Sequence, residues 1–346
     1  MHTAAARRHV TVSTLLWGAL LLVALAAVAT NLGELRQIGH VVRHAAWGWI
    51  AVSTALEALF VLNLALFYWS SFRANRAHAD LPRFVLLTSA SHFVNIVSKT
   101  GGLAGIALFV REGQRRGDST ARVTAGYVTT YVMSWASFVV VLLLALLLLY
   151  LSGSLTIVEI VAAGIMLAII LAVGGLMVAG LRSEAALLRL YRAAARPLNA
   201  AARLLRRPPV IDVATAPESV RDIYDAVSQV KRKPLHYAQP FAHALAVEAL
   251  SIGMLWTVAL AVRGDAGFEV AVAGYAISLL FSMIAITPAG IGFVEASLSV
   301  LLVSFGVDRH AAIATALGYR LFEFWIPLLL GAVSLHLLRE RGEAPR

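Results

Sequence analysis

Long uninterrupted runs of apolar residues recur along the chain and predict helices that cross a membrane. Each run is about as long as, or longer than, the roughly 20 residues that an α-helix needs to span a hydrocarbon core. The first run follows Arg7 and Arg8 and is longer than the apolar part of a secretory signal, so it predicts a retained helix, with a signal anchor as the alternative. The six predicted membrane-spanning helices are Val10–Gly33, Ala45–Ser71, Val123–Tyr150, Ile160–Leu181, Tyr237–Val262 and Ala311–Leu338.

Two further apolar runs are interrupted by glycine-rich segments. Phe84–Ser98 leads into Lys99-Thr100-Gly101-Gly102-Leu103-Ala104-Gly105, and Val270–Ile286 leads into Thr287-Pro288-Ala289-Gly290-Ile291-Gly292. The first run would form about 22 Å of helix, which is too short for a hydrocarbon core of roughly 30 Å. The pattern therefore predicts two re-entrant hairpins, over residues 84–110 and 270–305, each built from two half-helices joined by a glycine-rich break.

The charged residues exclude a water-soluble globule and orient the predicted helices. The 346 residues are 60% hydrophobic and 14% charged, whereas soluble domains are about 25% charged. Lys and Arg exceed Asp and Glu by 29 to 19, and in a membrane protein such an excess marks cytoplasmic loops rather than nucleic-acid binding. The basic loops fall on one side if residues 84–110 enter and leave the membrane on the same face. Both termini are then expected in the cytoplasm.

This topology predicts two repeats that are inserted in opposite orientations. The first membrane repeat covers residues 1–158 and the second covers residues 159–346, and each has three crossings and one re-entrant hairpin. The predicted fold class is therefore an all-α polytopic membrane protein with six transmembrane helices and two re-entrant broken-helix hairpins in an inverted repeat. Inverted repeats with broken helices are a recurrent transporter plan, with the substrate site near the membrane midplane.

A basic insertion over residues 182–236 predicts contact with anionic lipids of the inner leaflet. Arginines recur every seven residues within it, with leucine and alanine between them. Such a pattern is typical of an amphipathic helix that lies on an anionic membrane surface. The arginines in this register are Arg182, Arg189, Arg196 and Arg203.

The glycine-rich breaks and nearby polar residues predict a substrate site. A break at membrane depth frees backbone N–H groups, and those at the start of a half-helix lie at the positive end of its dipole, which suits a phosphate or carboxylate. The alternative is that the glycines only allow close helix packing and a tight turn. No metal, cofactor or catalytic constellation is expected. The candidate substrate-binding residues are Glu57, His92, Asn95, Lys99, Thr100, Gly101, Gly102, Glu248, Thr287, Pro288, Gly290, Gly292, Glu295 and Arg320.

Charged residues within apolar runs form one part of this set. Glu57 and Glu248 lie near the middle of apolar runs, where a carboxylate is protonated, paired or in contact with an aqueous cavity. One interpretation is proton coupling or contact with a cationic substrate, and the other is a structural partner such as Arg320 or Lys99. Glu295 lies in the first turn after the second break. One interpretation is that Glu295 and Arg320 form a structural ion pair. The other is that the Arg320 guanidinium binds a phosphate of the substrate.

Polar residues on two other helices complete the candidates. His92 and Asn95 precede Lys99 by seven and four residues, so the three share one helical face that could receive an anionic headgroup. In the alternative, Lys99 reaches the membrane interface while the other two are satisfied core residues. Glu323 follows Arg320 by three residues on the same side of the last helix.

Several second-half motifs also follow one another in a characteristic order. They are Thr287-Pro288-Ala289-Gly290-Ile291-Gly292-Phe293-Val294-Glu295, Gly306-Val307, Tyr319-Arg320-Leu321 and Trp325-Ile326-Pro327. In this order they resemble the flippase-like membrane domain of lysylphosphatidylglycerol synthases. The first-half run Asn95–Gly105 resembles the matching earlier motif, but it has Lys99-Thr100-Gly101 where relatives commonly have a proline.

The resemblance implies a stand-alone lipid flippase or lipid-linked transporter of a bacterial inner membrane, and not an enzyme. Only eight residues follow Leu338, so the soluble aminoacyl-transferase domain of the full synthases is not expected. The chain lacks a nucleotide-binding P-loop motif, so uphill transport needs a gradient or a partner. The alternatives are a membrane-embedded transferase, acting for example on a polyprenyl-linked sugar, and an accessory subunit. The expected partners are a phospholipid or lipid-linked substrate and either a second copy of the chain or a lipid-synthesis enzyme.

Overall fold

A computed structural model of the chain describes residues 43–98, 105–151, 234–264, 266–284 and 292–340, together with Gly290 and a few isolated helical positions. The described residues form helices, and no strand occurs among them. The helices are α1 Trp47–Ala74, α2 Leu81–Ser98, α3 Ile106–Arg115, α4 Thr120–Leu151, α5 Ala238–Ala261, α6 Phe268–Ile284, α7 Phe293–Ser304, α8 Arg309–Arg320 and α9 Ile326–Glu340. A π-helical segment, Leu321–Trp325, joins α8 to α9.

Four helical stretches within the described residues are long and apolar enough to cross a membrane. They are Trp47–Ala74, Arg122–Leu151, Leu235–Ala261 and Arg309–Glu340. They confirm long apolar helices at four of the six predicted spans. The predicted spans Val10–Gly33 and Ile160–Leu181 lie outside the described residues, as does most of the basic insertion over 182–236.

Helices α1 and α5 form an antiparallel pair at the centre of the bundle. At one end, the N–H of Ala46 donates to the carbonyl of Ala261 over 2.7 Å. Nearer the other end, Asn63 Nδ2 donates to the carbonyl of His243 over 2.9 Å. The start of α1 therefore lies beside the end of α5.

The first interrupted segment forms an antiparallel helix pair of α2 and α3, the first helix pair. Arg83 near the start of α2 makes an ion pair with Glu112 near the end of α3. At the other end of the pair, the N–H of Gly105 donates to Asn95 Oδ1 over 2.6 Å. A Cβ atom at Gly105 would lie 1.9 Å from Ser91 Oγ, so this close approach requires glycine. The connecting residues 99–104 lie outside the described part of the chain.

Charged residues hold the start of α2 beside the end of α3 at the Arg83 end of the first helix pair. Arg116 Nε donates to Glu112 Oε1 over 2.8 Å and its Nη2 lies 3.5 Å from Asp80 Oδ2. His78 precedes α2 and Asp118 follows α3. The N–H of His78 donates to Asp118 Oδ2 over 2.7 Å. The chain thus enters and leaves this pair at the same end of the bundle.

The second interrupted segment forms a similar antiparallel pair of α6 and α7, the second helix pair. The rings of Phe281 and Phe293 meet edge to face with centroids 5.4 Å apart near its closed end. A Cβ atom at Gly274 would lie 3.2 Å from Leu298 Cδ1 further along. After this pair, Asp308 caps α8, and the N–H groups of Ala311 and His310 hold the pKa of its carboxyl below the usual value.

The two helix pairs open toward opposite ends of the bundle. The first pair follows the end of α1, and its Phe84 belongs to the same hydrophobic cluster as Leu338 near the end of α9. The second pair follows the end of α5. There, a Cβ atom added to Gly264 would lie 3.5 Å from Cγ1 of Val307, which follows α7. Because α1 and α5 are antiparallel, these two sets of contacts lie at opposite ends.

Local details recur between α1–α3 and α5–α7 at one constant spacing in the sequence. Arg76 after α1 and Arg263 after α5 both have left-handed backbone angles, with φ of 59° and 56°, which few residues other than glycine adopt. The spacing, 263 minus 76, is 187 residues. The same spacing relates two hydrogen bonds. The Trp69 indole donates to the carbonyl of Ala79 over 3.2 Å, and the Trp256 indole donates to the carbonyl of Ala266 over 3.3 Å. The spacing also relates Gly105 to Gly292, which precede α3 and α7.

Candidate functional site

A buried arginine with two carboxylate partners lies near the middle of the last long helix. Arg320 has only 3% of its side chain exposed. Its Nε donates to Glu295 Oε1 over 3.0 Å and its Nη1 donates to Glu323 Oε2 over 2.8 Å. The guanidinium also lies over the ring of Phe324, with Cζ 4.5 Å from the centroid. The predicted pair between Glu295 and Arg320 is therefore present, and Glu323 is an additional partner.

The second helix pair positions Glu295 through the backbone at its tip. Gly292 has a φ of +81° and precedes the first residue of α7. Its N–H donates to Glu295 Oε2 over 2.8 Å, while the other carboxylate oxygen accepts from Arg320. Glu295 therefore joins the tip of the second helix pair to the last long helix. A carboxylate in the first turn also interacts favourably with the helix dipole.

A widened helical turn places Glu323 beside Arg320. Pro327 has no N–H, and in a regular helix its ring would collide with the carbonyl four residues earlier, that of Glu323. The turn widens into the π segment, where the N–H of Ile326 bonds to the carbonyl of Leu321. Such π segments often occur at functional sites. This segment also packs against α1.

Glu248 joins three helices through two hydroxyl groups. It lies near the middle of α5 and is 5% exposed. Its carboxylate accepts hydrogen bonds from Ser137 Oγ on α4, over 3.0 Å, and from the hydroxyl of Tyr275 on α6. Among the described residues, hydroxyl groups bond to Glu248 in place of the predicted partner Arg320, and the other predicted partner, Lys99, lies outside the described residues.

Glu57 has a different environment. It lies near the middle of α1 and is 4% exposed, and neither carboxylate oxygen has a hydrogen-bond partner among the described residues. Glu323 is close enough to repel its charged form. The predicted pairing with Arg320 is not observed, because that guanidinium is turned to Glu295 and Glu323.

These charged groups form one layer across the bundle, in which Glu57, Glu248 and Arg320 are buried and Glu295 and Glu323 are partly exposed. The side chain of Tyr319, fully buried on α8, interacts electrostatically with Glu57, Glu248, Arg320 and Glu323. The layer brings together residues from α1, α5, the second helix pair and the last long helix. We call it the polar layer, and its members are Glu57, Glu248, Tyr275, Glu295, Tyr319, Arg320 and Glu323.

The remaining predicted site residues divide into described and undescribed positions. Lys99, Thr100, Gly101, Gly102, Thr287 and Pro288 lie outside the described residues. Gly290 is buried, and it has a left-handed φ of 70°, like Gly292.

His92 and Asn95 have different neighbours, although the sequence placed them on one face. Asn95 accepts from the N–H of Gly105 and donates from Nδ2 to the hydroxyl of Tyr127 over 3.2 Å. These bonds brace the first helix pair. His92 instead lines a crevice with residues of α1 and α9, including Phe60 and Pro327.

A polar crevice and an apolar groove adjoin Arg320. The crevice lies between α6 and the last long helix, and the hydroxyl of Ser278 within it has no partner among the described residues. The groove between α7 and α8 encloses about 500 Å³ and ends at Glu295. The crevice is lined by Tyr275, Ser278, Leu279, Ser282, Val294, Tyr319, Arg320 and Glu323. The groove is lined by Glu295, Ala296, Ser299, Val300, Val303, Arg309, Ile313 and Leu317.

Sequence reasoning missed Ser137, Tyr275, Tyr319 and Ser278 as members of the site. Ser137, Tyr275 and Ser278 belong to helices that are apolar on most faces, so periodicity did not indicate which face is turned inward. Tyr319 stands next to Arg320 in a motif that the sequence offers, and this adjacency was the available signal. Among the described residues, no group of three His, Cys, Asp or Glu side chains is placed to hold a metal ion.

The fold and the polar layer together define a multi-pass helical membrane protein with ion pairs buried inside its bundle. The chain belongs to the family described as the lysylphosphatidylglycerol synthase TM region, whose sequence model matches residues 12–331. This confirms the resemblance of the second-half motifs and places the chain among membrane domains associated with lipid handling. The UPF0104 membrane protein PH1989 of Pyrococcus horikoshii is 39% identical over 56 residues. That match spans 16% of this chain and 17% of the length of the relative.

Proposed function

We propose that the protein is a flippase for an anionic lipid, or a transporter of a lipid-linked anion, in a bacterial inner membrane. One observation carries the proposal. Arg320 is a buried guanidinium that lines a polar crevice, and its partner Glu295 lines an adjoining apolar groove. A lipid presents the same combination of an anionic headgroup and apolar tails. In this function the chain moves the lipid across the membrane without changing it chemically.

The crevice offers donors that suit a phosphate or carboxylate. Arg320 supplies a planar guanidinium, which binds oxyanions with two parallel hydrogen bonds. Ser278 and Ser282 add hydroxyl groups beside it. Glu323, whose side chain is 32% exposed, is the less buried of the two carboxylate partners, since Glu295 is 16% exposed. In the proposed cycle, the headgroup replaces Glu323 at the guanidinium while Glu295 keeps Arg320 in place.

The groove between α7 and α8 supplies a path for an acyl chain. Its walls are mostly apolar, with Val300 and Leu317 exposed at the surface of the bundle. A chain lying there stays in contact with the bilayer while the headgroup reaches Arg320. The tails therefore need not leave an apolar environment, and the free-energy barrier to transfer comes from moving the headgroup alone.

The opposite openings of the two helix pairs support access from both faces of the membrane. We propose that both pairs are re-entrant hairpins, and that the constant spacing between α1–α3 and α5–α7 reflects an inverted repeat of residues 1–158 and 159–346. In inverted-repeat transporters, the substrate site lies between the halves and opens alternately to each side. The basic loops then place both termini in the cytoplasm, and Arg182, Arg189, Arg196 and Arg203 contact anionic lipids of the inner leaflet.

Lipid movement in proteoliposomes tests this proposal. Fluorophore-labelled phosphatidylglycerol is reconstituted with the full chain, and an impermeant reductant reports the fraction of lipid that reaches the outer leaflet. The protein is expected to accelerate this transfer, and Arg320→Lys is expected to slow it about tenfold because lysine cannot form the paired hydrogen bonds. The matched control is Arg339→Lys, since Arg339 lies exposed near the end of the same long helix.

The controls separate a lipid effect from an effect on folding. Each variant is first compared with the parent by thermal unfolding, so that a slow variant that has lost its fold is recognised. Labelled phosphatidylcholine, which carries no net charge, is expected to move less. Transfer of phosphatidylglycerol at the rate of protein-free liposomes would contradict the proposal.

A further inference from the structure

The contacts of α1 point to a proton site. We propose that Glu57 takes up and releases a proton during the transport cycle, and that Glu323 couples this proton to the binding of the anionic headgroup at Arg320. This inference rests on the proposed function, because it concerns the energy that drives lipid movement. The proton comes from water at one face of the membrane and returns to water at the other, and no bond of the lipid breaks.

The contrast between Glu57 and Glu248 is the first observation. Both carboxyls are more than nine-tenths buried near the middle of neighbouring antiparallel helices. Glu248 accepts two hydroxyl hydrogen bonds, which stabilise its charge. Glu57 has no donor among the described residues. A buried carboxylate without a donor is costly inside a membrane, so the neutral acid is its stable form unless a positive group approaches.

Among the described residues, no Lys or Arg side chain forms a hydrogen bond with Glu57. His92 on α2 lies in a crevice beside Phe60 and Val61, one turn along α1. Glu323 in the π segment is the charged group that acts on Glu57. The other titratable groups of the described residues that pack near α1 are Tyr127 on α4, Tyr237 just before α5, His243 and Glu248 on α5, and Tyr319 on α8.

The charge of the polar layer gives the coupling. Arg320 with Glu295 and Glu323 has a net charge of minus one, Glu248 adds a second negative charge to the layer, and an ionised Glu57 would add a third in a medium of low dielectric constant. When an anionic headgroup replaces Glu323 at the guanidinium, the charge of Glu323 is no longer neutralised by that pair. It then acts more strongly on Glu57. Binding of the anion therefore makes Glu57 hold its proton more tightly, and departure of the anion makes release of that proton easier.

The protonation state of Glu57 can be measured without transport. The purified full chain is studied in lipid nanodiscs by infrared difference spectroscopy in the carbonyl region of protonated carboxylic acids. Glu57→Gln is expected to remove one such band at neutral pH, whereas the matched variant Glu248→Gln is expected to leave that band in place. A Glu57→Gln spectrum that keeps every protonated carboxyl band would overturn the inference, since Glu57 would then be ionised, for example by pairing with Lys99.

Transport under a pH gradient tests the coupling. For one proton per lipid, each pH unit across the proteoliposome membrane is expected to shift the leaflet distribution of labelled phosphatidylglycerol about tenfold. Glu57→Gln is expected to abolish this shift in the leaflet distribution at whatever rate of lipid movement it retains, and Glu340→Gln, a change of an exposed carboxylate at the end of α9, is expected to keep the shift. If the parent protein gave the same leaflet distribution of labelled lipid with and without the pH gradient, the proton inference would be wrong and the flippase proposal would stand. No lipid movement at all would count against the flippase proposal itself.

Discussion

At the scale of single residues, the site depends on how each buried carboxylate is neutralised. Glu295 and Glu323 share the guanidinium of Arg320, and Glu248 accepts from two hydroxyl groups. Glu57 has no such donor among the described residues. Breaking a buried ion pair by removing one partner typically costs about 3 to 5 kcal/mol, because an uncompensated charge remains. The four carboxylates are therefore expected to respond differently to substitution.

Glu295→Ala is expected to destabilise the protein more than Glu323→Ala. The first change removes the bond to Arg320 and also the acceptor of the Gly292 N–H, at about 3 kcal/mol in total. The second removes one bond from a carboxylate that is one-third exposed, at about 1 kcal/mol. The thermal unfolding midpoints of the two purified variants provide the comparison. Equal midpoints, or a lower one for Glu323→Ala, would show that Glu295 does not hold the hairpin tip.

At the scale of helices, membrane thickness made the long elements predictable. The runs that became α1, α4 and α5 had to be long enough to cross the bilayer, and their lengths were visible in the sequence. Each of the two interrupted runs forms two separate helices, as expected for an apolar run too short to span, whereas their entry into and return from the membrane on one face stays a prediction. Glu57 and Glu248 were recognisable because a carboxylate in such a run is costly.

The orientation of each helix about its axis could not be predicted in the same way. Lipid and protein interior are both apolar, so α1 exposes Leu59 and Leu62 while it buries Phe60 and Phe67. Ser137 and Tyr275 could not be assigned to the site for this reason. The π segment was also missed, since Pro327 indicates a local distortion but does not show that the turn widens around Glu323.

Gly105→Ala is expected to disrupt the first helix pair. The added Cβ would approach Ser91 Oγ and Asn95, which also accepts the N–H of Gly105, so a cost of about 1 to 3 kcal/mol is expected. The matched control is Gly48→Ala, since a Cβ at Gly48 in α1 has nothing within 4 Å. Thermal unfolding of both variants measures the difference. A Gly105→Ala midpoint equal to that of the control would mean that α2 and α3 do not approach as described.

At the scale of the whole molecule, the central claim is that two helix pairs enter the membrane from opposite faces, and that the second pair contributes Glu295 to the polar layer. The antiparallel pairing of α1 and α5 fixes the relative directions of the helices that follow. The contacts at the open ends of the two pairs lie at opposite ends of the bundle. The tip of the second pair carries Glu295 to Arg320. An arrangement of this kind gives each face of the membrane its own approach to one buried site.

Sided labelling of single cysteines tests this claim most directly, because the natural sequence contains no cysteine. Ser119 and Ser304 are exposed beside the open ends of the first and second helix pairs. With an impermeant thiol reagent on intact spheroplasts, Ser304→Cys is expected to react and Ser119→Cys to react only after the membrane is opened. Reaction of both cysteines from the same side would contradict the account.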